Sequence, residues 1–203
     1  MIRFVGYNGQ GIFLDVYCKS GVIRIEAGLY SLGKSVWYYN KENFLFLRLK
    51  QFSDFDFETH FLGLDKKIKK NISGKIICMD GIFQSISASK KNAKIAGVQD
   101  VLHFSRTELD WLDSKFDKGS VGYIVSILPY TSNNISSKVI EKIYREFFYQ
   151  SDFVLGKKGK ICVATRDKKL LAQYADQFGF EIVEEHVVVQ GMEEVLIFVL
   201  KRE

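Results

Sequence analysis

The first apolar stretch of this sequence, Ile12–Tyr17, contains an acidic residue near its end and is followed by small residues. Residues of these types in this order could bind a charged ligand. Asp15 lies near the end of the stretch, and Ser20 and Gly21 form a turn before a helical pattern begins. Backbone N–H groups at a helix start can face an anion. The arrangement therefore suits a ribose-bearing, charged ligand, although strand–turn–helix units with one glycine also occur in folds without such a ligand.

A second acidic residue, Asp80, directly follows the apolar stretch Lys75–Met79. An acid at this point of a nucleotide-binding sheet commonly accepts hydrogen bonds from ribose hydroxyls. The alternative is that Asp80 caps the helix that follows. Both interpretations remain open from the sequence.

The only proline, Pro129, follows the apolar stretch Gly122–Leu128. Proline cannot sit in a central strand, so it marks the strand's carboxyl end. It would stiffen the backbone where a ligand could lie, and Tyr130 offers a ring for stacking. The alternative is a plain strand stop.

These residues need a scaffold, and apolar strands alternate with helical patterns along the chain. We predict strands at Ile12–Tyr17, Lys75–Met79, Val101–Phe104, Gly122–Leu128 and Lys160–Thr165, with a further short strand at Ser35–Tyr39. Helices are predicted at Val22–Leu32, with apolar residues at 22, 25, 29 and 32, and at Ser85–Ala96, Ser137–Leu155 and Asp167–Phe178. Two β-rich runs flank Gln190-Gly191, which indicates a terminal hairpin.

This alternation predicts an α/β fold: a Rossmann-like, seven-stranded, mostly parallel sheet with helices on both faces and a C-terminal antiparallel β-hairpin. Ligands of such sheets bind outside the carboxyl ends of the strands. The chain has 203 residues, 47% of them hydrophobic, which suits a single domain over 1–203 with an insert at about 44–73. A net charge of +5 leans mildly toward anionic partners such as nucleic acid.

The cysteines Cys18, Cys78 and Cys162 are isolated in apolar runs. This pattern predicts neither a metal site nor a disulfide framework, and it indicates a reducing compartment. No apolar run reaches about 18 residues, so no membrane span is expected. The start of the chain lacks the apolar region of a signal peptide. We therefore expect a cytoplasmic protein.

Taken together, the motifs resemble the class I S-adenosylmethionine-dependent methyltransferases, and more narrowly the RNA methylase group that makes N2-methylguanine in tRNA and rRNA. The first motif of that group reads approximately LDPFCGSGTILIEA, and residues 14–27 follow it as LDVYCKSGVIRIEA. The second reads approximately GxDIDPxAIxxAxxNAxxAGV, and residues 80–98 follow it, most clearly in Asn92-Ala93-Lys94 and Ala96-Gly97-Val98. The similarity covers residues 11–203, including a long aromatic and acidic insert between the two motifs.

The resemblance implies S-adenosylmethionine as cofactor, RNA (tRNA or rRNA) as partner, and no metal. The implied cofactor-binding residues are Asp15, Tyr17, Cys18, Ser20, Gly21, Asp80, Gly81 and Glu108, the last in the position that usually contacts the adenine amino group. The implied catalytic tetrapeptide is Ile127-Leu128-Pro129-Tyr130. The group usually carries an N-terminal RNA-binding domain, which we do not expect in this chain; the chain is then either a fragment of a longer protein or a stand-alone protein that relies on a partner subunit for RNA capture.

The chain departs from the group's pattern at Val16, which replaces proline, at Ile82, which replaces the second acid of the second motif, and most importantly at Lys19 and Ile127. Lys19 stands where the group has glycine, and its side chain could crowd the methionine end of the cofactor or pair with its carboxylate. Ile127 stands where Asn or Asp accepts hydrogen bonds from the target amine. We therefore expect an RNA methyltransferase with weakened activity. The alternatives are a catalytically inactive protein that binds RNA or a partner, and a methyltransferase acting on a protein or small molecule.

Overall fold

The computed structural model describes residues 1–35, 37–131, 135–191 and 193–203, and a seven-stranded sheet runs through them. The strands are β1 (Ile12–Asp15), β2 (Lys75–Met79), β3 (Leu102–Ser105), β4 (Val121–Ile127), β5 (Leu155–Thr165), β6 (Phe180–Gln190) and β7 (Glu193–Arg202). The helices are α1 (Val22–Leu32), α2 (Phe57–Asp65), α3 (Phe83–Ile95), α4 (Leu112–Lys115), α5 (Ser137–Val154) and α6 (Lys168–Gln177).

The strand order β3-β2-β1-β4-β5-β7-β6 confirms the predicted sheet. Neighbouring strands from β3 to β5 pair in parallel, whereas β7 pairs antiparallel with both β5 and β6. The predicted terminal hairpin is present, with Gln190 opposite Glu193 and Gly191 at φ 66° in the turn. Sequence order reverses between β1 and β4, the point where sheets of this kind bind ligands.

The central strands are apolar on both faces because helices cover both sides of the sheet. In β1, Leu14 packs into the core beneath α5 and α6, and Phe13 packs into the core beneath α1 and α3. The two side chains are fully buried, and they point to opposite faces because side chains alternate along a strand. Packing on both faces therefore fixes the central strands in position, and a ligand can bind at their carboxyl ends.

Helix α1 forms over the predicted residues, and of its four regularly spaced apolar residues Leu29 and Leu32 are buried and Ile25 packs against the core. Val22 is 61% exposed, whereas the charged Arg24 is fully buried. The helix ends at Leu32, where Gly33 adopts φ 69°. Arg24 is buried because it has partners inside the molecule, which are described below.

The strand predicted at 35–39 is wrong for its described part. Residues 37–39 form a turn, closed by a hydrogen bond from Asn40 N–H to Trp37 O of 3.0 Å, and Val36 lies outside the described residues. A strand requires a neighbour in the sheet, and this segment instead leads into the insert. The insert at 44–73 contains 3₁₀ turns at Leu45–Arg48 and Lys50–Phe52, then α2, and none of these elements has a buried residue.

Candidate active site

A cleft of about 580 Å³ opens at the carboxyl ends of four adjacent strands. Its walls are Val16, Tyr17 and Lys19 after β1; Asp80, Gly81, Ile82 and Ser85 after β2; Glu108, Leu109 and Asp110 after β3; and Pro129, Tyr130 and Ile135 after β4. A second depression of about 330 Å³ shares Gly81 and Glu108 with it and extends toward Arg106 and Trp111. The strand ends thus converge as the fold requires.

Asp80 presents a carboxylate to this cleft while being only 5% exposed. Its Oδ2 accepts a hydrogen bond from Lys19 N–H at 3.0 Å, and its Oδ1 accepts one from Ile82 N–H at 2.9 Å. A carboxylate has about four acceptor positions, so each oxygen retains capacity for a ligand hydroxyl. Asp80 makes no side-chain cap to α3. Helix capping, one of the two alternatives for Asp80, is therefore not observed, and ligand binding stays a prediction.

Glu108 borders both depressions and packs closely on Gly81. A Cβ at Gly81 would lie 2.8 Å from Glu108 Cγ, so any side chain there would displace Glu108. Glycine at this position therefore keeps the Glu108 carboxylate at the junction of the two depressions.

Tyr17 reaches the cleft from β1, and its backbone N–H donates to Ser126 Oγ at 3.2 Å. Burial, reinforced by the carboxylates of Asp110 and Asp80, raises the pKa of the Tyr17 hydroxyl well above its ordinary value. The hydroxyl therefore stays protonated at neutral pH and can donate a hydrogen bond in the cleft.

Asp15 does not line the cleft; it belongs to a buried network behind it. Arg24 Nη1 contacts Asp15 Oδ2 at 3.0 Å, and Ser126 Oγ donates to Asp15 Oδ1 at 2.7 Å. Arg24 also donates to Ser89 Oγ at 3.0 Å and to Cys18 O at 2.6 Å. Burial raises the pKa of the Asp15 carboxyl, and the Arg24 guanidinium and Ser126 hydroxyl oppose that rise. The network fixes the turn between β1 and α1.

Three other residues of this turn, Cys18, Ser20 and Gly21, also lie outside the cleft lining. Burial raises the pKa of the Cys18 thiol to about 12, so it remains an unreactive thiol. Ser20 O accepts a hydrogen bond from Asn92 Nδ2 at 2.8 Å, which ties the turn to α3. Gly21 has φ 97°, and a Cβ there would lie 2.8 Å from Ser89 Oγ, so glycine is required.

Lys19 is the wall residue that the sequence marked only as a departure. It has φ 45°, the one positive φ of a non-glycine residue in the described part of the chain. Its backbone N–H is held by Asp80, and its side chain lines the cleft.

The predicted tetrapeptide is divided by the structure. Ile127, the last residue of β4, is half-buried against the core beneath α1 and α3, and Leu128 is fully buried in the core on the other face. Pro129 and Tyr130 line the cleft, whereas Ile127 and Leu128 do not. The polar side chain at the end of β4 is Ser126, which is committed to Asp15.

The segment after β4 contacts the segment after β5. No residue of the segment after β5 is among the site residues predicted from the sequence. The Arg166 guanidinium lies 4.5 Å from the centroid of the Tyr130 ring. Thr131 N–H donates to Asp167 Oδ2 at 2.7 Å. Arg166 also pairs with Glu193 of β7. Ligands of such sheets bind beyond the carboxyl ends of the strands, and this strand-end rule, applied to β5, would have identified Arg166 and Asp167.

The described ranges hold no group of three or more His, Cys, Asp or Glu side chains suited to a metal ion. Among the same residues, no helix has both the length and the apolar character to cross a membrane.

A seven-stranded sheet of this order, with an acid-lined cleft at its switch point, defines a Rossmann-like domain of the methyltransferase type. The chain belongs to the UPF0020 family, described as RMKL-like, methyltransferase domain, whose model matches residues 1–195. The resemblance inferred from the motifs is thereby confirmed.

Two curated relatives carry the same name, tRNA (guanine(6)-N2)-methyltransferase. The protein of Methanocaldococcus jannaschii is 29% identical over 198 residues, covering 94% of this chain and 49% of the relative. That of Archaeoglobus fulgidus is 21% identical over 202 residues, covering 98% of this chain and 46% of the relative. The chain thus spans about half the length of the relatives it matches.

Solved structures agree on the fold. SMU.472, complexed with SAH (S-adenosylhomocysteine), superposes with a TM-score of 0.82 at 18% identity, covering 100% of this chain and 51% of that one. TrmN from Thermus thermophilus gives a TM-score of 0.68 at 17% identity, covering 100% and 47%. Both similarities extend over the whole of the sheet described above.

Proposed function

We propose that this chain is the S-adenosylmethionine-dependent methyltransferase domain of an RNA-modifying enzyme that acts on guanine N2 of tRNA. The main observation that supports this proposal is the buried Asp80 carboxylate, which borders the cleft at the point where the strand order reverses. The chain also belongs to a methyltransferase-domain family. The names of the two relatives support tRNA as the substrate. A tRNA substrate implies work in the cytoplasm.

The cleft residues fit the proposed cofactor. Its volume of about 580 Å³ lies within the range of small-molecule sites. Asp80 keeps acceptor positions for ribose hydroxyls, and Glu108 can accept from an adenine amino group. Lys19 and the donor hydroxyl of Tyr17 border the same space. When bound, the cofactor supplies an electrophilic methyl group on a sulfonium.

The residues around the target base are less complete. Pro129 and Tyr130 can face a planar base, with Tyr130 held by Arg166. Ile127 offers no acceptor for an exocyclic amine, so the chain must align the base without the orienting hydrogen bonds that the related tetrapeptide supplies. Weak activity follows from this absence. Family membership and the named relatives favour an active enzyme over an inactive RNA-binding or partner-binding protein.

RNA capture is proposed to involve more than this domain. The relatives are about twice as long as the matched region, and the additional length can carry further RNA contacts. For this chain, we propose that a further domain or a partner subunit has that role.

Calorimetric titration with SAH tests the cofactor site. Asp80→Ala should weaken binding by about 1–3 kcal/mol, the contribution of a charge-assisted hydrogen bond. Asp100→Ala is the matched control because Asp100 is exposed at the opposite edge of the sheet, in the turn before β3. Unchanged affinity in Asp80→Ala would contradict the ribose role, and absence of SAH binding in the wild type would contradict the function.

A further inference from the structure

A second cavity of about 580 Å³ lies between the end of α1 and the insert. Helix α1 begins beside the cofactor cleft and ends at Leu32, whose carbonyl accepts a hydrogen bond from Lys69 N–H at 2.9 Å. The cavity is therefore at the amino edge of the sheet, opposite the cleft. Its walls include aromatic and basic side chains, among them Phe44, Phe46, Phe61, Lys34, Lys41 and Lys67.

The aromatic rings of the insert contact one another and leave much of their surface to solvent. Phe44 and Phe46 stack at 4.9 Å between centroids, and Trp37 lies 5.5 Å from Phe44. None of the helical turns of the insert contains a buried residue. The rings that line the cavity, Phe44, Phe46 and Phe61, are partly buried, and Phe55 beyond the cavity is 50% exposed. An exposed apolar surface of this kind usually marks an interaction site.

The cavity is also cationic. Lys34 Nζ lies 4.5 Å from the ring centroids of Tyr38 and Tyr39, and Lys41 Nζ lies 4.6 Å from that of Tyr38. Lys41 pairs with Asp65, but among the described residues Lys34 and Lys67 form no ion pair with a carboxylate. Lys66, Lys69 and Lys70 are exposed beside the cavity. Ligands of this surface should therefore be anionic.

Aromatic faces flanked by lysines are the features with which proteins bind single-stranded nucleic acid, because bases stack on the rings and phosphates pair with the ammonium groups. We propose that this aromatic–basic pocket binds unpaired RNA nucleotides at the edge of the sheet opposite the active site. The identification of the polyanion as RNA rests on the proposed function. A second copy of the chain fits less well, because two lysine-rich surfaces would repel.

Fluorescence anisotropy with a labelled, unstructured RNA of about ten nucleotides tests the proposal at low salt. Lys67→Glu should weaken binding about five-fold and reduce its salt dependence, and Phe61→Ala should weaken it about ten-fold. Lys142→Glu is the matched control, since Lys142 is an exposed residue of α5, on the other face of the sheet. It should change affinity by less than about two-fold.

SAH affinity, measured on every variant, separates this proposal from the proposed function. If the wild-type protein binds RNA through the pocket but transfers no methyl group, the proposal of an RNA-binding pocket is retained and only the proposed methyltransferase function is rejected. RNA binding that Lys67→Glu leaves unchanged overturns the proposal, even if Phe61→Ala does not fold. A second outcome also overturns the proposal: the wild type does not bind RNA but self-associates in light scattering, and Lys67→Glu abolishes the self-association. The surface would then be an interface between protein molecules.

Discussion

Lys19 combines an unfavourable backbone with a place in the cofactor cleft. A non-glycine residue at φ 45° carries a cost of about 1–2 kcal/mol relative to glycine. The hydrogen bond from its N–H to the Asp80 carboxylate holds this conformation. The related motif has glycine here, so the lysine adds an ammonium group at a conformational cost.

If the Lys19 ammonium group pairs with the carboxylate of the methionine portion of the ligand, Lys19→Ala should weaken SAH binding about five-fold. Binding of 5′-methylthioadenosine, which lacks that carboxylate, should not change. Calorimetry with both ligands measures the difference. Tighter SAH binding in Lys19→Ala would show instead that the side chain crowds the ligand.

The family resemblance predicts that Ile127→Asn raises methyl transfer to guanine N2, since it restores an acceptor for the target amine at the end of β4. Ile127 itself packs against the core and does not line the cleft, so the gain requires the asparagine side chain to turn toward the cleft. Orienting groups of this kind are commonly worth about 10²–10⁴ in rate. The half-buried isoleucine contributes apolar burial, so the variant should lose up to about 1.5 kcal/mol of stability.

Transfer of labelled methyl groups to tRNA, followed by nucleoside analysis, measures the gain. Ile127→Val is the control because it removes one methyl group without adding an amide. A stable Ile127→Asn variant with no gain would show that another part of the site limits the reaction, and a wild type of ordinary activity would show that no acceptor is needed at this position.

The strand-end rule located part of the candidate site from the sequence. Position after a strand identified Asp80, Pro129 and Tyr130, and the family resemblance added Tyr17 and Glu108; all five border the cleft. The strand-end rule could not show that Asp15 turns inward, because that depends on a buried partner whose position is set by the rotation of a helix. Nor could it show which of two consecutive residues after a strand faces the ligand.

At the scale of elements, α1 is anchored by its buried arginine, Arg24. Arg24 connects α1 to β1 through Asp15, to α3 through Ser89 and to the turn through Cys18 O. The strands were easier to predict than this anchor, because burial on both faces gives a continuous apolar run. An arginine within an apolar helical pattern is the signal that could have indicated a buried ion pair.

Arg24→Leu should destabilise the protein by about 3–5 kcal/mol, because it leaves the Asp15 carboxylate buried and unpaired. Burial already raises the pKa of Asp15 against the opposing Arg24 guanidinium, so without the guanidinium this pKa lies still further above its unfolded value. The folded state then loses stability as the pH rises through that pKa, so the deficit is smallest in acid. Urea denaturation at pH 5 and pH 8 measures it.

The double variant Arg24→Leu/Asp15→Asn is the control, since a neutral amide removes the buried charge. It should recover part of the lost stability, and the additional pH dependence of the single variant should disappear because the amide does not titrate. A deficit that is the same at both pH values would contradict a role for the Asp15 charge.

At the scale of the whole molecule, four strand ends contribute to one cleft, so a ligand there should stabilise the entire sheet. SAH at about 100 times its dissociation constant should add about 2.7 kcal/mol, which for a chain of this size corresponds to a Tm increase of about 5–10 °C. Differential scanning fluorimetry measures the shift, and Asp80→Ala should reduce it at the same SAH concentration. An equal shift in both proteins would place the ligand elsewhere.

The hydrogen bond between Ser126 and Asp15 joins residues that are 111 positions apart, and it has a consequence for biosynthesis. Strand β1 obtains its first neighbour when β2 is synthesised, but its other edge stays open until β4 leaves the ribosome. At about 5–20 residues per second, synthesis of the 111 residues from Asp15 to Ser126 takes roughly 5–20 s. During this time the nascent chain exposes an apolar strand edge, so its yield in the cell should depend on chaperones that cover such edges.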